Sequence, residues 1–181
     1  MITGGVSVWG GWPEVWRANL TLRGPSKVLA RIGGFRAFHL AQLDKRARKF
    51  PWGNILTPGL AVKAEVVTNR KSKIYHKGAA VQRIERAISE EYGARIASSM
   101  DDADIVIKAR IDDNNVMFSI DTSGDGLHKR GHKQAMGKAP IRETMAALAL
   151  RAAGYDGHEA VLDPMCGSGT FIIEAAEIAR G

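Results

Sequence analysis

The pattern of apolar and polar residues predicts that helices and strands follow one another along the 181-residue chain. Helical spacing of apolar residues predicts helices over 13–22, 38–49, 78–92, 140–153 and 170–179. Alternating or short apolar runs predict strands over 2–8, 27–32, 60–68, 104–111, 115–120 and 160–162. The clearest helix carries apolar residues at helical spacing, at Ala80, Val81, Ile84, Ala87 and Ile88. In the clearest strand, four apolar residues share one face: Leu60, Val62, Ala64 and Val66.

The composition is that of a globular chain, because 45% of the residues are apolar and 25% are charged. The longest apolar runs, such as 145–150, are too short to span a membrane, and no secretory signal pattern is visible. Cys166 is the single cysteine, which fits a reducing compartment. The histidines show no metal-ligand spacing with it. We therefore expect a cytoplasmic protein without a membrane segment or a metal site.

The positive charge is concentrated in the first third of the chain. The net charge is +7, and residues 1–60 hold 9 basic and 2 acidic side chains. Residues 61–120 hold 10 and 9, and residues 121–181 hold 7 and 8. A basic surface of this kind favours a polyanion such as nucleic acid, and the alternative is a solvated surface that keeps the protein soluble.

A glycine loop lies between the predicted strand 160–162 and the predicted helix 170–179. Gly167 and Gly169 would allow a ligand to approach the backbone closely, and the helix start offers N–H donors to an anionic group. The loop has no lysine, so it is not a Walker loop, and Ile172 replaces the third glycine of a dinucleotide fingerprint. Two interpretations of the loop remain. It could bind S-adenosylmethionine, with Asp163 accepting a hydrogen bond from a ligand ammonium or hydroxyl group, or it could be only a tight strand-to-helix turn.

Three ordered strings resemble one known family. The string Asp163-Pro164-Met165-Cys166-Gly167-Ser168-Gly169-Thr170 resembles motif I of the class I methyltransferases that carry a THUMP domain. The strings at 121–131 and 139–144 resemble upstream segments of the same family. Within this family, the chain resembles the bacterial large-subunit ribosomal RNA guanine-N2 methyltransferases. Proteins similar to these are often labelled adenine-specific DNA methylases.

The resemblance implies an α+β fold with several domains. Residues 1–57 would form a partial ferredoxin-like domain, and residues 58–122 a THUMP RNA-binding domain. Residues 123–138 would be a linker, and residues 139–181 the first elements of an incomplete Rossmann-like methyltransferase domain. The resemblance also implies that the chain is truncated at both ends. The Asn/Asp-Pro-Pro-aromatic motif that binds the target amine in this family does not occur in the 181 residues.

The resemblance implies a set of cofactor-binding residues and no catalytic residue. The residues expected to bind S-adenosylmethionine are Asp163, Pro164, Met165, Cys166, Gly167, Ser168, Gly169, Thr170, Arg142 and Thr144. Arg142 could instead pair with Glu143 or Asp163. Cys166 is not expected to act as a nucleophile, because no base is evident beside it.

Two basic segments are the expected RNA contacts. The first contains Arg70, Lys71, Lys73, His76 and Lys77, and the second contains His128, Lys129 and Arg130. Lysine and arginine neutralise phosphates. The first segment could instead be a solvated loop, and the second could close over the cofactor or be a charged linker between domains. Tyr75 could stack on a base or pack against its own domain.

These inferences predict the N-terminal portion of an S-adenosylmethionine-dependent RNA methyltransferase. Its expected substrate is the exocyclic amine of a guanine in 23S ribosomal RNA, and its expected role is ribosomal RNA processing. The fragment alone is expected to be inactive. Two alternatives stay open: an RNA-binding module without activity of its own, and a DNA adenine-N6 methyltransferase.

Overall fold

Five α-helices and five strands form the regular structure of residues 5–69, 71–132 and 140–181, which are the residues that the computed structural model describes. The helices are α1 (Trp12–Thr21), α2 (Leu40–Arg48), α3 (Lys77–Tyr92), α4 (Glu143–Ala152) and α5 (Thr170–Arg180). The strands are β1 (Leu29–Arg36), β2 (Ala61–Thr68), β3 (Arg95–Ile96), β4 (Ile105–Asp112) and β5 (Asn115–Asp121). A short 3-10 helix covers Trp52–Asn54. The chain divides into two units, Leu29–Asp121 and the described parts of 1–28 and 122–181.

The unit Leu29–Asp121 is built on one mixed sheet with the strand order β1-β5-β4-β2-β3. β2 runs parallel to β3 and β4, whereas β5 runs antiparallel to β4 and β1. The tight β4–β5 connection places Asp113 and Asn114 at positive φ, which short Asx side chains tolerate better than most. β1 pairs with β5, and the paired residues Leu29 and Asp121 are 92 positions apart in the chain.

The core of this unit lies between the sheet and helices α2 and α3. Inward residues alternate along the strands, including Val62, Ala64 and Val66 of β2, while Ile84 and Ile88 of α3 have no exposed surface. Trp52 and Phe118 form the aromatic centre, with ring centroids 5.1 Å apart. The Trp52 indole donates a hydrogen bond of 2.8 Å to the Ala47 carbonyl, which satisfies its single polar group.

Most of the predicted elements are confirmed within a few residues. The predicted helix 78–92 is observed at Lys77–Tyr92 and ends at Gly93, whose φ of 73° suits a left-handed cap. The predicted strand 27–32 is longer, Leu29–Arg36, since its pairing with β5 continues past a bulge between Arg31 and Gly33. The pair Arg95–Ile96 is a strand that the pattern does not predict, because two residues carry no period.

The second unit contains α1, α4 and α5. Pro13 lies in the first turn of α1, and Glu14 accepts a hydrogen bond of 2.7 Å from the Gly11 N–H. The segment after α1 pairs with the residues that follow β5, since Thr122 N–H donates to the Val28 carbonyl at 3.2 Å. Residues 5–28 therefore belong with the C-terminal part of the chain, and the predicted boundary between residues 57 and 58 lies inside the other unit.

The predicted strand 160–162 is wrong. These residues have no regular secondary structure, and Leu162 is 89% exposed. A strand is stable only when a neighbour pairs with it, and the described residues of this unit form no strand that could do so. Of the predicted strand 2–8, residues 2–4 lie outside the described residues, and residues 6–8 are irregular.

None of the helices in the described parts of the chain combines the length and the apolar character that crossing a membrane requires.

Candidate functional site

The backbone of the glycine loop that precedes α5 forms a tight turn at two glycines. Gly167 has a φ of 53° and Gly169 a φ of 71°, both in the left-handed region that favours glycine. The Gly169 N–H donates a hydrogen bond of 2.7 Å to the Cys166 carbonyl, which closes the turn. Asp163 Oδ1 accepts a hydrogen bond of 3.0 Å from the Met165 N–H, so its carboxylate shapes the entry to the loop.

The space in front of the loop is open. A Cβ placed on Gly167 would meet no described atom within 4 Å, and one on Gly169 would meet only the tip of Ile173 at 3.9 Å. The first-turn N–H groups of α5 have no acceptor within the helix, so they carry partial positive charge toward this space. The loop residues Pro164, Met165 and Cys166 are exposed. The loop therefore fits an anionic group bound close to the backbone, such as the carboxylate of an amino-acid tail.

Thr170 anchors the start of α5 beneath the loop. Its side chain is 2% exposed, and its hydroxyl donates a hydrogen bond of 3.4 Å to the Ile141 carbonyl. The Ser168 hydroxyl lies 3.2 Å from that of Thr170. The loop is thus fixed to the segment that leads into α4.

The two predicted cofactor residues on α4 differ in exposure. Arg142 is the exposed N-cap residue of the helix, whereas Thr144 is buried, with 2% of its surface exposed. The side chain of Arg142 forms no ion pair with Glu143 or Asp163. Arg142 is therefore available to a ligand, and Thr144 contributes to the packing of α4.

The first predicted RNA segment, at the start of α3, is held by buried polar residues. Asn69 Oδ1 accepts hydrogen bonds from the Lys71 N–H at 3.1 Å and from the Ser72 hydroxyl at 3.0 Å. Asn114 Oδ1 accepts one of 2.9 Å from the Lys73 N–H. Ser72 and Asn114 are both buried, so the backbone of this segment is fixed while its lysine side chains remain outside.

The lysines of this segment are exposed and lack acidic partners. Lys71, Lys73 and Lys77 form no ion pair with any residue in the described part of the chain. The basic side chains on β2 and β4 are paired instead: Lys63 pairs with Glu85, Lys108 with Glu65, and Arg110 with Asp112. Unpaired cations beside a helix start favour an anionic partner. Arg70, also predicted here, lies outside the described residues.

The second predicted RNA segment is largely engaged within its own unit. Arg130 donates hydrogen bonds to the Leu127 carbonyl at 3.2 Å, to the Arg23 carbonyl and to the carboxylate of Glu174. Its side chain is only 13% exposed. Lys129 is exposed and lies 3.2 Å from Asp125, and His128 is half-buried. Of the three residues, Lys129 is the one that presents its charge to solvent.

Sequence reasoning missed two residues that lie beside the first segment. Phe38 and Arg36 are near Lys73, which lies 5.7 Å from the centroid of the Phe38 ring. Phe38 was expected as an apolar position of a helix, but it precedes α2 and is 38% exposed. The only available signal was an aromatic residue between Arg36 and His39. Across the described residues, no three His, Cys, Asp or Glu side chains form a cluster that could hold a metal ion.

The segment that contains the glycine loop is similar to a methyltransferase domain of known proteins. A family model described as RMKL-like, methyltransferase domain, matches residues 130–181. The Ribosomal RNA large subunit methyltransferase K/L of Syntrophotalea carbinolica is 36% identical over an alignment 184 positions long, and this alignment covers 96% of this chain and 25% of that protein. The chain spans between 23% and 45% of the lengths of the curated relatives that it matches over more than nine tenths of its own length.

Solved structures of proteins described as methylases or methyltransferases are also similar to this chain. A protein of Listeria monocytogenes described as a predicted N6-adenine-specific DNA methylase has a TM-score of 0.79 at 30% identity, over 94% of this chain and 46% of its own. SMU.472, described as a candidate methyltransferase complexed with SAH, has a TM-score of 0.77 at 26% identity, and the match covers 94% of this chain and 46% of SMU.472. These relatives and neighbours are described as methyltransferases or methylases, and one of them was solved with SAH bound. The chain is therefore similar to the RMKL-like methyltransferase domain over residues 130–181, and to ribosomal RNA large subunit methyltransferases over most of its own length but less than half of theirs.

Proposed function

We propose that these 181 residues form the RNA-binding part and the start of the cofactor site of an RNA methyltransferase. The substrate we propose is the exocyclic amine of a guanine in 23S ribosomal RNA. The observation that carries the proposal is the open glycine loop, in which Gly167 and Gly169 adopt positive φ at the start of α5. The ribosomal RNA methyltransferase relatives support RNA as the substrate class.

The loop would bind the amino-acid tail of S-adenosylmethionine. The N–H groups at the start of α5 would donate to its carboxylate, and the carboxylate of Asp163 would accept from its ammonium group. When bound, the cofactor supplies a methyl group on a positively charged sulfur. The contribution of this chain is positioning, since the loop is fixed through Thr170 and Ile141 before any ligand arrives.

The unit Leu29–Asp121 would bind the RNA, as a THUMP-type domain, through Lys71, Lys73, His76 and Lys77. A guanine amine inside a helix is out of reach of a methyl donor, so the target base would have to leave its stack. Contacts to phosphates hold the RNA in register without reading its sequence. We therefore assign orientation of the RNA to this unit, and we propose no residue of this chain as the base that removes the amine proton.

A DNA adenine-N6 methyltransferase is the second candidate. One specific observation favours it, namely the description of the Listeria monocytogenes neighbour as an N6-adenine-specific DNA methylase. Both reactions methylate an exocyclic amine, so the cofactor loop does not separate them. Binding of single-stranded RNA, structured RNA and duplex DNA at one stated salt concentration separates them, because phosphate-driven affinities depend strongly on salt.

The experiment uses a chimera and the chain alone. The chimera joins the 181 residues to the downstream region of the Syntrophotalea carbinolica relative. With radiolabelled S-adenosylmethionine and a 23S ribosomal RNA transcript, we expect methyl transfer by the chimera and none by the chain alone. Nuclease digestion and mass spectrometry should identify N2-methylguanine. N6-methyladenine in duplex DNA would replace the proposal with the second candidate. RNA binding without transfer by either protein would leave an RNA-binding module.

A further inference from the structure

One cavity in the unit Leu29–Asp121 combines aromatic rings with unpaired cations. Its volume is about 250 Å³, and it lies between the end of β1 and the start of α3. Phe38, His39, Lys73, Tyr75 and His76 line it, and no carboxylate of the described residues does. Aromatic walls together with positive charge and no acidic group favour a ligand that is both flat and anionic.

Tyr75 offers a free ring face to this cavity. Its side chain is 66% exposed, and its hydroxyl has no hydrogen-bond partner among the described residues. Its ring centroid lies 4.2 Å from that of His76, with 41° between the ring planes. Tyr75 is therefore not packed into its own domain, which was the alternative expectation. A pair of adjacent rings with one face in solvent is the arrangement on which an unstacked base can stack.

Phe38 holds two cations beside the same cavity. The guanidinium carbon of Arg36 lies 5.4 Å from the centroid of the Phe38 ring, and the Lys73 ammonium lies 5.7 Å from it. Both distances are within the range of a cation–π contact. Neither cation forms an ion pair within the described residues. Phe38 therefore positions Arg36 and Lys73 while leaving their hydrogen-bond donors free for phosphate oxygens.

Hydrogen bonds fix the backbone of the two segments that line the cavity. Ile74, between Lys73 and Tyr75, is buried, and its carbonyl accepts a hydrogen bond of 2.7 Å from Thr68 Oγ1. The Phe38 N–H donates one of 2.8 Å to Gln42 Oε1. Because these bonds fix the backbone on both sides, the site is formed before a ligand binds, which lowers the entropic penalty of binding.

We infer that this cavity binds one unstacked nucleobase of a single-stranded RNA segment. The base stacks on Tyr75, and its flanking phosphates bind Arg36 and Lys73. The inference rests on the proposed RNA binding and narrows it to a single-stranded segment. It assigns a base contact to Tyr75, which phosphate recognition alone would not require, and it adds Arg36 to the expected phosphate contacts.

The stacking is tested by measuring the affinities of the wild-type chain and of Tyr75→Leu for two ligands. The ligands are a uridine-rich single-stranded RNA and an oligomer of abasic ribose-phosphate units with the same length and charge. Tyr75→Leu should weaken the binding of the intact RNA by about fivefold or more, the usual effect of losing one stacked base. It should leave the affinity for the abasic oligomer unchanged. Tyr75→Phe keeps the ring and should keep the wild-type affinity.

Two further variants give the controls. Lys73→Met should weaken the binding of both oligomers equally, since it removes a phosphate contact and no stacking. Trp16→Leu removes another exposed aromatic ring, in the other unit, and should change neither affinity. Equal effects of Tyr75→Leu on both oligomers, or no effect on either, would overturn the stacked base while leaving the RNA proposal standing. A wild-type chain that binds neither oligomer nor ribosomal RNA would overturn both.

Discussion

Arg130 donates a hydrogen bond to Glu174, a carboxylate with no exposed surface. The same oxygen of Glu174 accepts a hydrogen bond of 3.1 Å from Arg23 Nε. One buried negative charge therefore joins α5 to the segment after α1 and to the segment that follows β5. Since Glu174 lies one turn into α5, this cluster also fixes the helix whose first residues carry the cofactor loop.

Replacing Glu174 should destabilise the unit that contains it. Glu174→Gln leaves Arg130 without a counter-charge at a largely buried position and leaves Arg23 with Glu177 alone, and breaking a buried pair typically costs about 3–5 kcal/mol. Thermal unfolding followed by circular dichroism should show a large drop in the unfolding temperature.

Glu177→Gln is the matched control for that variant. Glu177 is on the same helix and pairs with Arg23 at 3.6 Å, but 25% of its side chain is exposed. Partly exposed ion pairs contribute about 0–1 kcal/mol, so the control should lose little. Equal, small losses for the two variants would contradict the structural role of the buried cluster.

The burial of Arg130 also shows that long-range contacts are not predictable from a local sequence pattern. The string His128-Lys129-Arg130 predicts a basic surface because lysine and arginine are usually exposed. Two of the partners of Arg130, the Arg23 carbonyl and Glu174, are 107 and 44 residues away in the chain, and no local sequence pattern indicates them. By contrast, α3 follows from its own apolar spacing and the left-handed cap at Gly93, which are local properties.

The same distinction applies to the candidate site. The glycine loop and the lysines at the start of α3 are visible as short strings. The cavity beside the lysines was not predicted, because β1 brings Phe38 next to Lys73 only once the sheet has formed. The expected strand 160–162 failed for a related reason, since an apolar run becomes a strand only where a partner strand is present.

Stability should depend on Arg48 at neutral pH and much less in acid. The Arg48 guanidinium donates hydrogen bonds of 2.6 Å to Glu90 and to Glu91, and these join α2 to α3. The hydrogen bond from Arg48 lowers the pKa of Glu90 below its ordinary value of 4.5, with a further contribution from Arg86. A carboxylate with a depressed folded-state pKa stabilises the fold above its unfolded pKa, and this contribution is lost as the pH falls through the folded value.

Arg48→Met should therefore lower the unfolding temperature at neutral pH, and the difference from wild type should narrow as the pH falls below 4.5. Unfolding temperatures measured across a pH series would show this convergence. Lys45→Met, an exposed position on the same helix without an ion pair among the described residues, serves as the control. A constant difference between Arg48→Met and wild type across the series would rule out the ion pair as the cause.

Charge reversal at Lys71 and Lys73 should weaken RNA binding and flatten its salt dependence. Each phosphate contact to a single strand contributes a slope of about −0.7 to the logarithm of affinity against the logarithm of salt. The double variant Lys71→Glu with Lys73→Glu should therefore reduce the slope by about 1.4 or more. Filter binding or fluorescence anisotropy over a range of salt concentrations measures it.

Lys45→Glu with Lys49→Glu is the comparison for that experiment. Both lysines are exposed on or next to α2, and the pair changes the net charge by the same amount. If the positive field of the whole unit were sufficient for binding, the two double variants would lose affinity equally. A larger loss from Lys71 and Lys73 locates the contact at the start of α3, whereas an unchanged slope for that variant would place the contact elsewhere.

Cofactor binding should depend on the open space at Gly167. Gly167→Val introduces a branched side chain at a φ of 53°, where strain is about 1–3 kcal/mol, and fills the space that the ligand would occupy. Gly154→Val provides the matched control, because Gly154 also has positive φ with no atom near its missing Cβ, yet it lies outside the loop. Both variants should therefore lose a similar amount of stability, but only Gly167→Val should abolish the heat of S-adenosylmethionine binding in a calorimetric titration of the chimera. Wild-type affinity in that variant would exclude the loop as the site of the amino-acid tail, because no bound ligand could share its space with the valine methyl groups.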